Sequence, residues 1–213
     1  MIKGKNMNYI DLSHKMIDKM DVYPGDPEFR LKEITINDED YSLFKISGGL
    51  HTGTHIDAPY HYIPNGKKVS DLDIKNLVGK ASIIKMKNDV DIINKCIKID
   101  DVKIEKQLEN IAILNTGWFK HWNNDIYFNE NPYISKELAK LLIESEISGI
   151  AIDTCSVDKV GQNHIHKMFL KNDIWIVENL TNMDQLTKDK YYSYFIPMNI
   201  DAEASYVRSF VEY

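Results

Sequence analysis

Apolar residues recur at two spacings along this chain, and the change from one to the other divides it into strands and helices. Alternating runs rich in β-branched and aromatic side chains predict strands over 29–36 and 41–47, the second ended by Gly48-Gly49. Further apolar runs of strand length lie at 81–87 and 111–115, and the polar stretch between them, 100–110, reads as a helix. Residues 118–133 carry many Asn and aromatic residues without a period and predict a long loop ending near Pro132. A helix follows: Ser135 is placed to cap it, Glu137 lies in its first turn, Leu138, Leu141 and Leu142 form its apolar stripe, and Gly149 stops it. Beyond it the pattern predicts a strand at 150–153, a short helix at 163–171, and strands at 174–177, 192–197 and 205–211. The order is mixed α/β. With no internal repeat, low-complexity tract or linker, it predicts one domain over residues 1–213.

Composition narrows the class. The 213 residues are 43% hydrophobic and 27% charged, an ordinary globular balance with enough chain to bury a core. Lys and Arg number 26 against 32 Asp and Glu, and the net charge of -6 with no basic cluster larger than pairs such as Lys67-Lys68 argues against a nucleic-acid partner. The N-terminal 20 residues alternate polar and apolar and lack a signal-peptide core, and no apolar run reaches the roughly 18 residues of a membrane span. A cytoplasmic protein is expected. Cys96 and Cys155, outside any CxxC pattern, suggest neither a disulfide framework nor a thiolate zinc site.

Candidate chemistry concentrates in His51-Thr52-Gly53-Thr54-His55-Ile56-Asp57-Ala58-Pro59-Tyr60-His61. Three of the seven histidines fall here beside an aspartate, and imidazole with carboxylate is the donor set of catalytic zinc and related divalent metals. Gly53 and the following Pro59 argue against a helical HExxH arrangement. In an extended chain His51, Gly53, His55 and Asp57 share one face, with the glycine leaving space between the donors, and Pro59 ends the strand so that His61 turns back toward them.

A second set of ligands is needed, and His164, His166 and Glu178 are the candidates. Ile174, Ile176 and Glu178 share a face, so isoleucines entering the core would take with them a carboxylate that needs a cation or hydrogen bonds. His164 and His166 point about 200° apart on a helix, so one of the two faces the site. Spacing does not choose between them.

The segment 51–61 resembles the cyclase family of metal hydrolases, whose best-known members are bacterial kynurenine formamidases: it matches HxGTHxDAPxH at every specified position. Supporting matches follow in the family's order over nearly the whole chain: Tyr23-Pro24-Gly25-Asp26-Pro27, Thr116-Gly117-Trp118, Ile152-Asp153, Ser156-Val157-Asp158, and His166 through Glu178-Asn179-Leu180. The last match selects His166 over His164. The resemblance implies a swivelling β/β/α fold with mixed sheets and flanking helices, a homodimer or larger homo-oligomer, and a two-metal site. His51, His55 and Asp57 would hold one ion, His166 and Glu178 would complete the second, Asp57 would bridge, and His61 would transfer protons. Tyr23 stands where formamidases carry a pocket aromatic, commonly tryptophan, and Phe169 replaces an aliphatic residue. Asp153 and Asp158 read as turn and supporting groups.

Zinc is the expected metal, two ions per chain, with manganese also accepted by such donors. The implied reaction is hydrolysis of N-formyl-L-kynurenine to L-kynurenine and formate by hydroxide that the metals make available, a step in tryptophan catabolism. Two alternatives stand beside it: opening of a cyclic amide, imide or lactone in the manner of isatin hydrolase, and a non-catalytic protein with a structural metal.

Overall fold

A computed structural model describes residues 8–34, 41–87 and 91–213. In chain order the elements are β1 (Tyr9–Asp11), β2 (Arg30–Ile34), β3 (Leu43–Ser47), β4 (His55–Asp57), α1 (Ile74–Leu77), β5 (Val78–Met86), β6 (Cys96–Ile97), β7 (Val102–Lys103), β8 (Ile111–Asn115), β9 (Tyr133–Ile134), α2 (Lys136–Glu144), β10 (Gly149–Ile152), α3 (His164–Lys171), β11 (Trp175–Glu178), β12 (Lys190–Pro197) and β13 (Ala204–Glu212).

The main sheet runs β1-β13-β12-β5-β8-β10-β11-β4, and β4 also pairs with β13. Seven strands therefore close into a ring, with β1 added to β13 and β7 to β5. The β5-β8-β10-β11 segment is parallel, and β4, β12 and β13 join antiparallel. The short continuous apolar runs at 111–115 and 149–152 belong to this parallel part, where both faces are covered.

Alternation along each strand sorts its side chains into two cores. Ile111, Ile113, Ala151, Trp175 and Val177 point to the inside of the ring with Ile56, Ile83, Phe195 and Val207. Ala112, Leu114, Ile150, Ile152 and Ile176 point outward and are covered by Leu138, Ala139 and Leu142 of α2 and Ile165, Phe169 and Leu170 of α3. Ser135 caps α2 as expected, its hydroxyl accepting from the Leu138 amide at 3.1 Å. Gly149 lets β10 approach β11: a Cβ there would overlap the Trp175 indole.

Three sequence expectations need correction. Residues 100–110 are not a helix. A 3-10 turn at Ile99–Asp101 leads into β7, where Val102 is buried against the edge of β5, and the rest is irregular. Sheet pairing of one apolar residue outweighs a polar run with a weak stripe. The extended row from His51 to Asp57 is also interrupted: only His55–Asp57 is strand, and Gly53 stands at φ +61° in a left-handed turn. Inside the expected loop 118–133, a 3-10 turn covers Trp118–His121, and Tyr133 then starts β9 on β6. The strand expected over 29–36 is present as β2, its last two residues lying outside the described residues. It pairs with β3 as a separate hairpin. No helix among the described residues is long and apolar enough to cross a membrane.

Candidate metal centre

The 51–61 segment is held from both sides. Thr52 Oγ1 donates to Gly49 O at 2.9 Å, and Thr54 Oγ1 donates to Asn179 O at 2.7 Å while accepting the His14 amide at 2.9 Å. These bonds explain why threonines flank the left-handed Gly53. β4 then lies between β11 and β13, and its register places His55 directly opposite Glu178. Directly opposed side chains of an antiparallel pair are neighbours, so one strand pairing brings the two chemical segments together. Pro59 opens the 3-10 turn Pro59–His61, which returns the His61 ring to 4.4 Å from that of His51.

On α3, Ile165 and His166 face inward and His164 is exposed, so the helix presents His166 alone to the site. The structure thus brings His51, His55, Asp57, His61, His166 and Glu178 around one point. Asp57, fully buried, is its centre: His51 Nδ1 lies 3.0 Å and His55 Nε2 3.4 Å from its Oδ1, and His166 Nε2 lies 3.4 Å from its Oδ2. Glu178 stands 3.2 Å from His166 Nε2 and 3.5 Å from His55 Nε2.

None of the contacts at Asp57 is aligned as a hydrogen bond. His55 Nε2 and both carboxylate oxygens of Asp57 are buried without a hydrogen-bond partner. Meanwhile the far nitrogens are satisfied: His55 Nδ1 donates to Gly53 O at 2.9 Å, and His166 Nδ1 donates to Asp158 at 2.8 Å. Buried carboxylate oxygens and imidazole nitrogens that converge without aligned hydrogen bonds are costly in the protein alone and suited to a divalent cation. Two sets of three donors, His51-Asp57-His61 and His55-Asp57-Glu178, each lie within 4.8 Å and share Asp57. The donor set fits a metal.

Electrostatics of the metal-free site follow from burial and these neighbours. Burial lowers His51, but Asp57 outweighs it and raises its pKa to about 9. Burial wins at His55 and His61, both lowered to about 4. Asp57 is held well below the usual carboxylate range, His51 and His55 overcoming its burial, whereas burial raises Glu178 against the pull of His166.

The centre opens into a cavity of about 380 Å³ lined by Tyr23, Tyr62, Phe128, Cys155 and Lys159 among others. Tyr23 heads a type II turn, with the Asp26 amide donating to its carbonyl at 3.0 Å and Gly25 at φ +100°. Its ring meets Phe128 edge to face at 6.2 Å. Sequence reasoning missed Phe128 and Tyr62, and quoted Asn179 only within the Glu178-Asn179-Leu180 match without giving it a place in the site. The aromatic-rich loop around Phe128 and the aromatic directly after His61 were the available signals. Asp153 accepts from the Thr116 amide and hydroxyl and from the Phe119 amide, which ties the TGW turn to the end of β10.

The family model "Putative cyclase" matches residues 10–159. A kynurenine formamidase of Bacillus thuringiensis subsp. konkukian (strain 97-27) is 31% identical over 214 residues, covering 98% of this chain and 99% of its own. Among solved structures, a potential metal-dependent hydrolase with cyclase activity superposes with a TM-score of 0.79 at 24% identity, covering 97% of this chain and 98% of that one. Isatin hydrolase A from Labrenzia aggregata, bound to benzyl benzoate, gives a TM-score of 0.83 at 23% identity over 97% of this chain and 93% of its own. Motif, fold and full-length likeness agree, and the chain belongs to the cyclase family.

Proposed function

We propose that this chain is a metal-dependent amidohydrolase that converts N-formyl-L-kynurenine to L-kynurenine and formate. The observation that carries the reading is the set of unpaired buried lone pairs on His55 and Asp57, at the floor of a cavity with an aromatic wall. The formamidase relatives, 31% identical over almost the full chain, support the substrate.

His51, His55 and Asp57 would hold one zinc ion and His166 and Glu178 a second, with the Asp57 carboxylate within reach of both donor sets. Bound there, the metal supplies Lewis acidity and brings the deprotonation of water into the neutral range. Tyr23 and Phe128 pack against the aryl ring and exclude water from one side of it. His61, neutral at pH 7 because burial holds it near 4, accepts a proton from water and returns it to the departing aryl nitrogen as the C–N bond breaks. One specific alternative concerns His61 itself, whose closeness to His51 and Asp57 also suits a ligand.

A structural metal is disfavoured by the cavity, since a closed site has no open position for substrate. The reading includes a homodimer, for which Phe44 and Ile46 of β3, 53% and 54% exposed, are candidate contact residues.

The test is hydrolysis of N-formylkynurenine by protein stripped of metal and reloaded with zinc or manganese. Metal-dependent release of formate is the expected result. A protein that binds two ions and leaves this substrate intact overturns the formamidase reading and directs the search to cyclic amides and lactones.

A further inference from the structure

Among the buried groups that the proposed reaction does not use, Asp158 is bonded directly to one of the proposed ligands through that ligand's ring. Its Oδ1 accepts from the Ile165 amide at 2.8 Å, and its Oδ2 accepts from both the His166 amide and His166 Nδ1 at 2.8 Å each. The side chain is 1% exposed. Two of its donors are backbone amides in the first turn of α3, which have no partner inside the helix. Asn163, the residue at the head of that helix, contributes no side-chain bond to them. The third donor belongs to the ring whose other nitrogen stands 3.2 Å from Glu178 and 3.4 Å from Asp57.

We propose that Asp158 is a positioning residue that secures the start of α3 and aims His166 Nε2 at the metal centre through one and the same carboxylate. A carboxylate accepts only, so Nδ1 must carry a proton, and Nε2, which points toward Asp57 and Glu178, is the nitrogen left to face a metal. Because Oδ2 accepts from both the amide and the ring of His166, the carboxylate that the helix start fixes in place also sets the direction of the imidazole. The docking of α3 and the presentation of its ligand are therefore one event. A partner of this kind on a metal-binding histidine changes affinity by about 10–100-fold.

The inference rests on the metal reading for its consequence, though its geometry can be tested without metal. Asp158→Asn keeps the shape but offers one acceptor oxygen to three donors and sets an amide against an N–H. Zinc affinity is measured by chelator competition on the purified protein, with 15N-labelled imidazole spectra and amide exchange of α3 recorded beside it. The expected result is zinc binding weakened about 10–100-fold in a folded variant, with the slowly exchanging Nδ1 proton of His166 lost. Faster amide exchange at the start of α3 with wild-type zinc affinity would make Asp158 a helix cap alone and overturn the proposal. If wild-type protein bound no zinc, the function reading would fall. Asp158 would still be judged by the protected Nδ1 proton in metal-free wild type, and its absence there overturns the proposal.

Discussion

At His61 burial has two consequences that can be separated. It keeps the ring neutral and places it beside His51, so a role in proton transfer and a role as ligand differ in what survives its removal. His61→Ala is expected to retain two zinc ions per chain by elemental analysis and to lose roughly 100-fold or more in kcat. Loss of one ion would make it a ligand. His51 supplies a second prediction. Its metal-free pKa of about 9 lies above the unfolded value near 6.5, so its protonation stabilises the metal-free fold fully below pH 6.5 and progressively less as pH rises to 9. A metal must displace that proton. Zinc affinity of stripped protein should therefore climb up to about tenfold per pH unit between 7 and 9, with proton release visible by calorimetry in buffers of different ionisation enthalpy. The histidine cluster was legible because imidazole and carboxylate donors recur at close spacing around a glycine and a proline that can turn them toward one point. Phe128 was not, since its place at the site depends on how a distant loop packs.

The elements show where local pattern suffices and where pairing overrides it. α2 could be read from Ser135 and its leucines because cap and stripe lie within one segment. The stretch 100–110 misled because Val102 finds its partner in β5, a contact that composition does not announce. The turn at Gly53 was taken for strand because its cause, the anchoring of Thr54 to Asn179, crosses 125 residues of sequence. Gly149 gives a test at this scale. The Trp175 indole lies across its Cα and cannot slide away freely, since its Nε1 donates to Asn76 O at 3.1 Å and its ring packs against Phe195. Gly149→Ala should cost about 1–3 kcal/mol, read as a lower urea midpoint with unchanged slope. An unchanged midpoint would mean that β10 and β11 can separate at no cost.

For the whole molecule, the metal site is also a seam in the ring. β4 is only three residues long, yet it closes seven strands by pairing with both β11 and β13, and it carries His55 and Asp57 at that closure. Without a cation the seam buries Asp57 and Glu178 beside lone pairs that nothing satisfies, so metal removal acts on the closure of the sheet as well as on catalysis. The two large cores, inside the ring and beneath α2 and α3, draw most of their side chains from other elements, β4 contributing Ile56 to the first. Chelation should therefore lower the melting temperature without unfolding the protein at 25 °C. At zinc about 100-fold above its Kd the linkage is worth about 2.7 kcal/mol, or roughly 5–11 °C for a chain of this size. Calorimetry with and without chelator measures it, and amide exchange should locate the loosening in β4 and the neighbouring ends of β11 and β13. Outright unfolding on chelation would instead mark the metal as part of the fold's own foundation and would favour a structural ion over a catalytic one.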